Sequence, residues 1–548
     1  MKVVAGRSKI ATQYGIVAAS QPLAARAGVQ ILERGGHAVD AAIAANAVMG
    51  LVEPEMNGVG GDLFAIVSDA TSIGPQGLNA GGWAPAGLTP ALLKSKGLTE
   101  MPFGGIHTVT VPGAVAGWAA LHERFGRLPL ADVLAPAIFY AERGFPVSDV
   151  IAARWVQWTD KLSADGHAAA TYLPDGRAPR SGELFINRDL AAVMQRIADG
   201  GAAGFYEGST AAAILECSRA HGGTMTAEDL RDFEPEWVEP ISTTYHGWRV
   251  YEIPPNTQGI AALIMLDLME QFPLRNYGFA TAASLHVMIE AKKLAYADML
   301  RYVADPKFGN VPVPVLVNKD AAKARARLIR PDVASARAKP AVMDPVTTRY
   351  GGDTIYLSAI DRDGNIVSLI QSIYQGFGSG LVPAGAGFAL QNRGALFTLD
   401  EQHPNVLAPR KRPLHTIIPG FMQKGDLRVG FGIMGAWNQA QAHAQFVANI
   451  VDYGMDIQEA LEAARFTKST FDGVDVSIEA LFPDPVRVEL GRLGHDVTVV
   501  PPRSGAFGSG QAVMSDDRTG VHFGASEPRH DGAAIPEAPP VFSHSSRP

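Results

Sequence analysis

Two hydroxyl side chains, Thr354 and Ser372, are the first candidates for chemistry in this sequence of 548 residues. The segment 350–365 reads YGGDTIYLSAIDRDGN, so a Gly-Gly-Asp triplet stands directly before Thr354. That triplet is either the end of a loop or one side of a peptide bond that the protein is built to cut. Which of the two holds depends on the residues that the following strands bring next to Thr354.

The strand-like run that begins at Thr354 and the next run along the chain predict a hairpin. Arg-Asp-Gly at 362–364 suits a three-residue loop in which Gly364 takes the left-handed conformation of a bulge. Pairs counted outward from this loop bring Thr354 opposite Ser372, with Tyr374 just beyond on the same face. Both faces of the hairpin carry apolar residues, which predicts that other layers cover it on both sides.

Helices and strands are mixed along the rest of the chain, which predicts the α+β class. The Ala-rich run 39–48 predicts a buried helix, and 281–302 predicts a long one. The segment 322–350 is rich in Ala, Arg and Pro and predicts a mobile connection, and the tail from residue 530 is expected to be poorly ordered. The later strand-like runs are 354–360, 365–374, 386–391, 428–433, 511–515 and 520–524.

Composition excludes several classes of protein. The net charge of −8 and the pI of about 6.0 give no support for binding nucleic acid. The single cysteine, Cys217, can form neither an internal disulfide nor a cysteine-based zinc site, and the 14 histidines show no metal-ligand spacing. We find no apolar run of about 18 residues, and the N-terminal segment has no apolar core of secretory length, so a secretory leader is not expected. We therefore expect a cytoplasmic protein with no metal, no cofactor and no membrane partner.

The quoted segment, followed by GFGSGLV, resembles the start of the small subunit of gamma-glutamyltransferase-like proteins, which are N-terminal-nucleophile (Ntn) hydrolases. The runs TVPGAVAGW, EAKKLAYADMLRYVADP and GASEPR are similar to other parts of that family, so the resemblance covers nearly the whole chain. It implies a four-layer αββα fold and self-cleavage between Asp353 and Thr354. The resulting large fragment (1–353) and small catalytic fragment (354–548) would stay paired as one intertwined unit, able to assemble as a dimer of heterodimers.

The same resemblance implies roles for the residues around the cleavage site. Thr354 would supply a hydroxyl nucleophile and, once its α-amine is freed, a base with a reference pKa of roughly 7.7–8.0. Ser372 would hydrogen-bond the Thr354 hydroxyl. The oxyanion hole would come from the backbone N–H groups of Gly435 and Ala436, where the family commonly has two glycines. The alternative for this segment is a packing turn that leads into the helix at 439.

Around this nucleophile, the sequence departs from the enzymes that act on glutamyl groups. The arginine that binds the glutamyl carboxylate in those enzymes corresponds to Gly81, and two serines correspond to His415 and Thr416. Their acidic groups for the α-amine correspond to Ala395 and Leu396. A charged amino-acid head group would meet apolar groups here, at a high desolvation cost, so glutathione chemistry is disfavoured.

Arg393, in the run LQNRG, stands where the glutamyl enzymes carry a neutral or acidic residue. A guanidinium can hold a carboxylate with two hydrogen bonds, so Arg393 predicts an anionic substrate. The runs QSIYQGFGSGLV and LQNRG resemble the acylase and oxamate-amidohydrolase branch of the family. A structural ion pair or a surface position is the alternative for Arg393. The predicted substrate-binding residues are Tyr374, Gln391, Asn392, Arg393, His415, Thr416, Trp437 and Asn438.

The leading hypothesis is a self-processing amidohydrolase that cleaves a small amide, such as the carboxylate-bearing oxamate, through an acyl-enzyme on Thr354. The first alternative is a transferase that passes a gamma-glutamyl or other acyl group to an amine acceptor. The second is an uncleaved relative with no enzymatic activity. The sequence leaves the identity of the amide open.

Overall fold

The computed structural model describes residues 7–72, 74–340 and 353–540. The glycine pair before Asp353 lies outside these ranges, so its predicted backbone freedom stays a prediction. Two antiparallel sheets of seven strands each form the centre of the molecule. Helices cover the outer face of each sheet.

The first sheet contains the predicted hairpin at its centre, with Asp353–Ile360 paired to Ile366–Tyr374. Every strand of this sheet is antiparallel to its neighbours, and its buried residues face two different cores. In spatial order its strands are Ala533–Pro536, Ile16–Ala19, Asp353–Ile360, Ile366–Tyr374, Asp62–Ser68, Gln76–Ala80 and Glu236–Val238.

The second sheet packs face to face against the first. Tyr356 and Ile370 from the hairpin meet Phe421 and Val513 from the second sheet in an apolar layer. Gly432 permits this approach, because a Cβ at that position would overlap the ring of Tyr356. In spatial order the strands of the second sheet are Ile10–Thr12, Val521–Ser526, Gly510–Asp516, Leu427–Ile433, Gly420–Lys424, Trp248–Glu252 and Ile241–Tyr245.

Two further cores join the sheets to the outer helices and complete the four layers. Leu357 and Leu369 of the hairpin pack with the helix Ala38–Val52, of which every residue is buried. On the other side, Phe431 of the second sheet packs with the helix Gln439–Val451. The predicted αββα architecture is therefore confirmed, as is the prediction that the Ala-rich helix is buried.

The remaining helices and small sheets surround these layers. The helices are Pro22–Glu33, Pro90–Ser95, Ala114–Phe125, Leu130–Arg143, Asp149–Trp155, Thr159–Ser163, Gly166–Tyr172, Arg188–Gly200, Ala203–Tyr206, Gly208–Ala220, Ala227–Arg231, Gly259–Met269, Leu274–Tyr277, Ala282–Tyr302, Val313–Leu316, Lys319–Ala326, Ile457–Glu462 and Asp484–Arg492. The smaller sheets pair Phe145–Pro146 with Leu184–Phe185, and Asp475–Glu479 with both Phe466–Thr467 and Asp496–Val500. Among the described helices, none has the length and apolarity to span a bilayer.

The register counted from the hairpin loop is confirmed from Ile360 to Ile355. Gly364 has a φ of 83°, and the Asp361 N–H donates to the Asn365 carbonyl at 3.2 Å, as a three-residue loop requires. The pairing then runs regularly outward as far as Ile355, where the register shifts in a bulge before Asp353 pairs with Tyr374. The bulge matters because it lies at Thr354, the residue that the sequence singled out.

Two expectations about the less regular segments were wrong, and a third stays a prediction. The helix Lys319–Ala326 enters the segment 322–350 and Ile329 is buried, whereas 341–350 lies outside the described residues, so the predicted mobility of this connection stays a prediction. The tail beyond residue 530 adds the strand Ala533–Pro536 to the first sheet, and its last part, 541–548, lies outside the described residues. The run 386–391 is irregular, because its backbone bonds to separate loops rather than to a strand.

Candidate active site

Thr354 and Ser372 lie side by side at the open end of the central hairpin. Thr354 Oγ1 donates to Ser372 Oγ over 3.4 Å, and both residues are buried. The backbone of Ser372 is also closely packed, since a Cβ at Gly61 would overlap its carbonyl group. The hairpin therefore brings together the two hydroxyls that its predicted register paired.

Arg393 lies behind this hydroxyl pair and supports it. Its Nη2 donates to Ser372 Oγ at 2.9 Å and its Nη1 donates to Thr416 Oγ1 at 2.7 Å. The guanidinium lies 4.5 Å from the centre of the Tyr374 ring, and the Tyr374 N–H also donates to Ser372 Oγ, at 2.8 Å. Burial lowers the pKa of Arg393 to about 10, so this group remains charged near neutral pH.

A second polar group, built on Asp62, lies beneath the pair. His415 Nε2 is 3.0 Å from one carboxylate oxygen of Asp62, and Gln391 Nε2 donates to the other at 2.7 Å. Burial and the nearby Arg393 charge lower the pKa of His415 to about 3, against the opposing effect of Asp62. His415 is therefore neutral near pH 7, and it donates from Nε2 while its Nδ1 accepts the Ile417 N–H at 3.3 Å.

The predicted oxyanion turn contains two successive residues with left-handed backbone angles. Gly435 has a φ of 129° and Ala436 a φ of 50°, so both lie in the left-handed range. This conformation is unfavourable for a residue that has a side chain, such as Ala436. The Gln258 side chain holds the turn, because its Nε2 donates to the Ala436 carbonyl at 2.8 Å. Within the described part of the chain, neither the Gly435 nor the Ala436 N–H donates a hydrogen bond, so both are available to a substrate oxygen.

A cavity of about 470 Å³ joins Thr354 to this turn. Of the predicted site residues, those that line it are Thr354, Gly435, Ala436, Trp437 and Asn438. The sequence did not single out the rest of the wall, which comes from distant segments with no shared periodicity. These missed residues are Glu55, Met56, Arg154, Gln157, Trp158, Met434, Thr467, Ser469, Gly505, Ala506 and Gly508.

Arg393 and its neighbours, which the sequence predicts to bind substrate, do not line this cavity. Arg393 is fully buried, with two of its nitrogens already bonded to hydroxyls, so it has no open face for a substrate carboxylate. Asn392 holds a loop in place, because its Nδ2 donates to the Phe103 carbonyl at 2.8 Å and its Oδ1 accepts the Gln375 N–H at 3.1 Å. The predicted residues that form this supporting layer, rather than the wall, are Ser372, Tyr374, Gln391, Asn392, Arg393, His415 and Thr416.

One group of potential metal ligands occurs among the described residues, away from this cavity. His286, Glu290 and His495 offer ligand atoms within 4.8 Å of one another. However, His286 Nδ1 and His495 Nε2 are 2.8 Å apart, as in a hydrogen bond, and Lys293 Nζ donates to Glu290 at 2.6 Å. These existing partners account for the cluster without an ion, and the expectation of metal-free chemistry stays a prediction.

Comparison with known proteins places this geometry in context. The model of the family described as gamma-glutamyltranspeptidase matches residues 24–537. The glutathione hydrolase-like YwrD proenzyme of Bacillus subtilis is 36% identical over 534 residues, covering 96% of this chain and 99% of that protein. The oxamate amidohydrolase proenzyme of Klebsiella pneumoniae is 33% identical over 531 residues, with 95% and 98% coverage. The crystal structure of cephalosporin acylase from Bacillus halodurans superposes with a TM-score of 0.90 at 42% identity, over 98% of both chains.

Proposed function

The chain belongs to the gamma-glutamyltranspeptidase family of Ntn-type enzymes that act on amide bonds, and from this premise we propose that it is a self-processing amidohydrolase with Thr354 as its nucleophile. The observation that carries the proposal is a single cavity shared by Thr354 and the Gly435–Ala436 turn with its two unused N–H groups. A nucleophile and a preorganised oxyanion site facing one cavity are the minimum that acyl transfer requires.

Processing would make the chain its own first substrate. Thr354 Oγ1 attacks the carbonyl carbon of Asp353, the C–N bond breaks, and the proton from the hydroxyl passes to the freed amine. Water then hydrolyses the resulting ester, which leaves the Asp353 carboxylate on one fragment and the Thr354 amine on the other. The fragments have 353 and 195 (548 − 353) residues.

The two fragments would stay together after cleavage. The strand Asp353–Ile360 lies between Ile16–Ala19 from the large fragment and Ile366–Tyr374 from its own hairpin. The strand Asp62–Ser68 from the large fragment pairs with the other side of that hairpin. Backbone hydrogen bonds across both boundaries, together with the shared cores, hold the pair. The predicted association of two such pairs into a dimer of heterodimers and the cytoplasmic location stay predictions.

Turnover would use the same atoms. The free α-amine of Thr354 takes the proton from Oγ1, which attacks the amide carbon of the substrate while the Gly435 and Ala436 N–H groups bind the developing oxyanion. The amine then returns the proton to the leaving nitrogen, and an acyl ester on Thr354 remains. Water, activated by the same amine, releases the acid and regenerates the enzyme.

The cavity favours a larger substrate than oxamate. Its volume of about 470 Å³ lies within the range of ligand pockets for drug-sized molecules. Oxamate is smaller than such molecules, because it consists only of a carboxylate joined directly to one amide. The buried Arg393, which suggested oxamate, does not line this cavity. An acylated amine, as in the acylase among the similar structures, therefore suits the site better.

The test is a panel of amides assayed with the purified, processed protein. We expect turnover of butanoyl and glutaryl anilides above that of oxamate and of a gamma-glutamyl anilide, with the free acid as the product. The assay is repeated with glycylglycine as an acceptor, and formation of an acyl dipeptide in place of the acid would favour the transferase. Thr354→Ala should lose all activity, and Thr519→Ala, on an exposed turn, serves as the matched control.

A further inference from the structure

The cavity contains a positive charge that has no counter-ion. Arg154 lies on the helix Asp149–Trp155, which continues into the short turn Val156–Trp158, and Arg154, Gln157 and Trp158 all line the cavity. Their i, i+3 and i+4 spacing gives them one common face. In the parts of the chain that the structure describes, no carboxylate lies within 4.0 Å of the Arg154 guanidinium. It therefore faces the cavity with no ion-pair partner among the described residues.

The contacts of this guanidinium are uncharged. Its Nη1 lies 2.7 Å from the sulfur of Met56, which is a weak acceptor. Its Nη2 lies close to the backbone of Gly505, since a Cβ added to that glycine would be 3.1 Å from this nitrogen. An arginine has five N–H donors in a planar fork, and among the described residues only the Met56 sulfur accepts a hydrogen bond from Arg154. Arg154 is half-buried, so it is held at the wall but remains accessible from the cavity.

Two acidic residues, Glu53 and Glu55, lie in the neighbourhood of Arg154 without an ion pair to it. Glu53 is fully buried, and burial raises its pKa to about 8 even though Arg154 and the Ser20 hydroxyl oppose this, so it is largely protonated near pH 7. Glu55 also lines the cavity and is almost fully buried, and among the described residues it forms no ion pair with Arg154. A charge in a partly desolvated wall is stabilised by a counter-ion, which a ligand can supply.

We propose that Arg154 binds a carboxylate carried by the amide substrate. The reacting amide must lie between Thr354 and the Gly435–Ala436 turn, so the group that reaches Arg154 belongs to a different part of the substrate. This inference rests on the proposed function and adds its substrate class, which is an anionic acylated amine. It moves carboxylate recognition from the buried Arg393 to an arginine that lines the cavity.

Matched pairs of substrates test the inference, because each pair differs only in charge. The first pair is glutaryl p-nitroanilide and its terminal carboxamide, with the charge on the acyl side. The second pair is N-butanoyl-4-aminobenzoate and N-butanoyl-4-aminobenzamide, with the charge on the leaving side. In at least one pair we expect the wild type to prefer the carboxylate. There, Arg154→Gln should lower kcat/KM for the carboxylate about tenfold or more through a higher KM, with little change for the neutral partner.

Three controls separate the possible causes of such a change. Arg154→Lys should recover part of the preference, because it restores the charge without the planar fork. Arg188→Gln, on an exposed helix start, should leave both pairs unchanged. Added salt should weaken the preference of the wild type more than that of Arg154→Gln. Equal effects of Arg154→Gln on charged and neutral partners in both pairs would overturn the inference while leaving the amidohydrolase intact.

A binding measurement gives a readout that does not depend on turnover. Glutarate, titrated into the wild type by calorimetry, should bind more tightly than into Arg154→Gln. If no amide is hydrolysed but glutarate binding still depends on Arg154, the proposed function fails and the anion site stands. If amides are hydrolysed and glutarate binds both proteins equally, the anion site fails alone.

Discussion

The Oγ1 of Thr354 lies 3.4 Å from the Oγ of Ser372, across the open end of the central hairpin. Ser372 Oγ also accepts hydrogen bonds from Arg393 at 2.9 Å and from the Tyr374 N–H at 2.8 Å. These donors fix the serine oxygen in the direction of the threonine hydroxyl. The supporting layer thus orients the proposed nucleophile even though it does not line the cavity.

Replacing Ser372 by Ala should slow both processing and turnover. The change removes the acceptor that orients the Thr354 hydroxyl and leaves an Arg393 N–H without its partner, which costs about 10- to 100-fold in kcat. Ser372→Thr, which keeps the oxygen, should retain most of the activity. The rates are measured with a neutral acyl anilide, and equal losses in the two variants would argue against the role of the oxygen.

Replacing Arg393 by Met should lower kcat with little change in KM, because Arg393 contacts Ser372 and not the cavity. Removing a buried cation near the α-amine should also raise the pKa of that amine, so the acid side of the pH–rate profile should move to higher pH. Thermal melting of the variant separates this effect from misfolding. A rise in KM confined to carboxylate substrates would instead support the carboxylate-binding role first expected for Arg393.

Ala436 should tolerate only small residues. Its φ of 50° is strained for any side chain and is least favourable for a β-branched one. Ala436→Gly should therefore preserve or improve activity, whereas Ala436→Val should displace the two N–H groups and lower kcat about 100-fold. Activity of the Val variant equal to that of the wild type would remove this turn from the oxyanion site.

Glu53 should make the protein less stable as the pH rises from 6.5 to 8. Burial raises its pKa to about 8 in the folded protein, against a reference value of 4.5, so the folded state holds a proton that the unfolded state has lost. Stability then falls with pH by up to about 1.4 kcal/mol per unit from this group. Burial lowers the pKa values of His415 and His530 to about 3. These two histidines therefore change the stability of the fold only below pH 6.5.

Glu53→Gln tests this expectation, because glutamine resembles the protonated acid and can still accept from Ser20. Its melting temperature should fall less between pH 6.5 and pH 8 than that of the wild type. Glu33→Gln, a change near the surface end of a helix, provides the control. If the melting temperatures of the wild type and of Glu53→Gln fall equally between pH 6.5 and pH 8, Glu53 is already ionised in the folded protein.

The hairpin and its chemistry could be predicted because local rules determine them. One loop of three residues fixes the register as far as Ile355, and the hairpin brings Thr354 Oγ1 within 3.4 Å of Ser372 Oγ. Resemblance then supplied the turn at Gly435. These features depend on residues close together in sequence or on a specific motif.

The cavity wall and the direction of Arg393 could not be predicted. Arg154 and Ser469 reach the cavity from separate segments, and no periodicity in the sequence links them. The direction of Arg393 depends on the loop that Asn392 holds through the Phe103 carbonyl, a contact between residues far apart in the chain. Long-range packing of irregular segments determines both features, and it leaves no local signature.

The most direct test of the central claim is the intact mass and N-terminal sequence of the purified protein. We predict two chains in equal amounts, with 353 and 195 (548 − 353) residues, the smaller one beginning at Thr354. Thr354→Ala should remain a single inactive chain of 548 residues. An active wild-type protein that stays uncleaved, or a small fragment that begins at any other residue, would contradict the account.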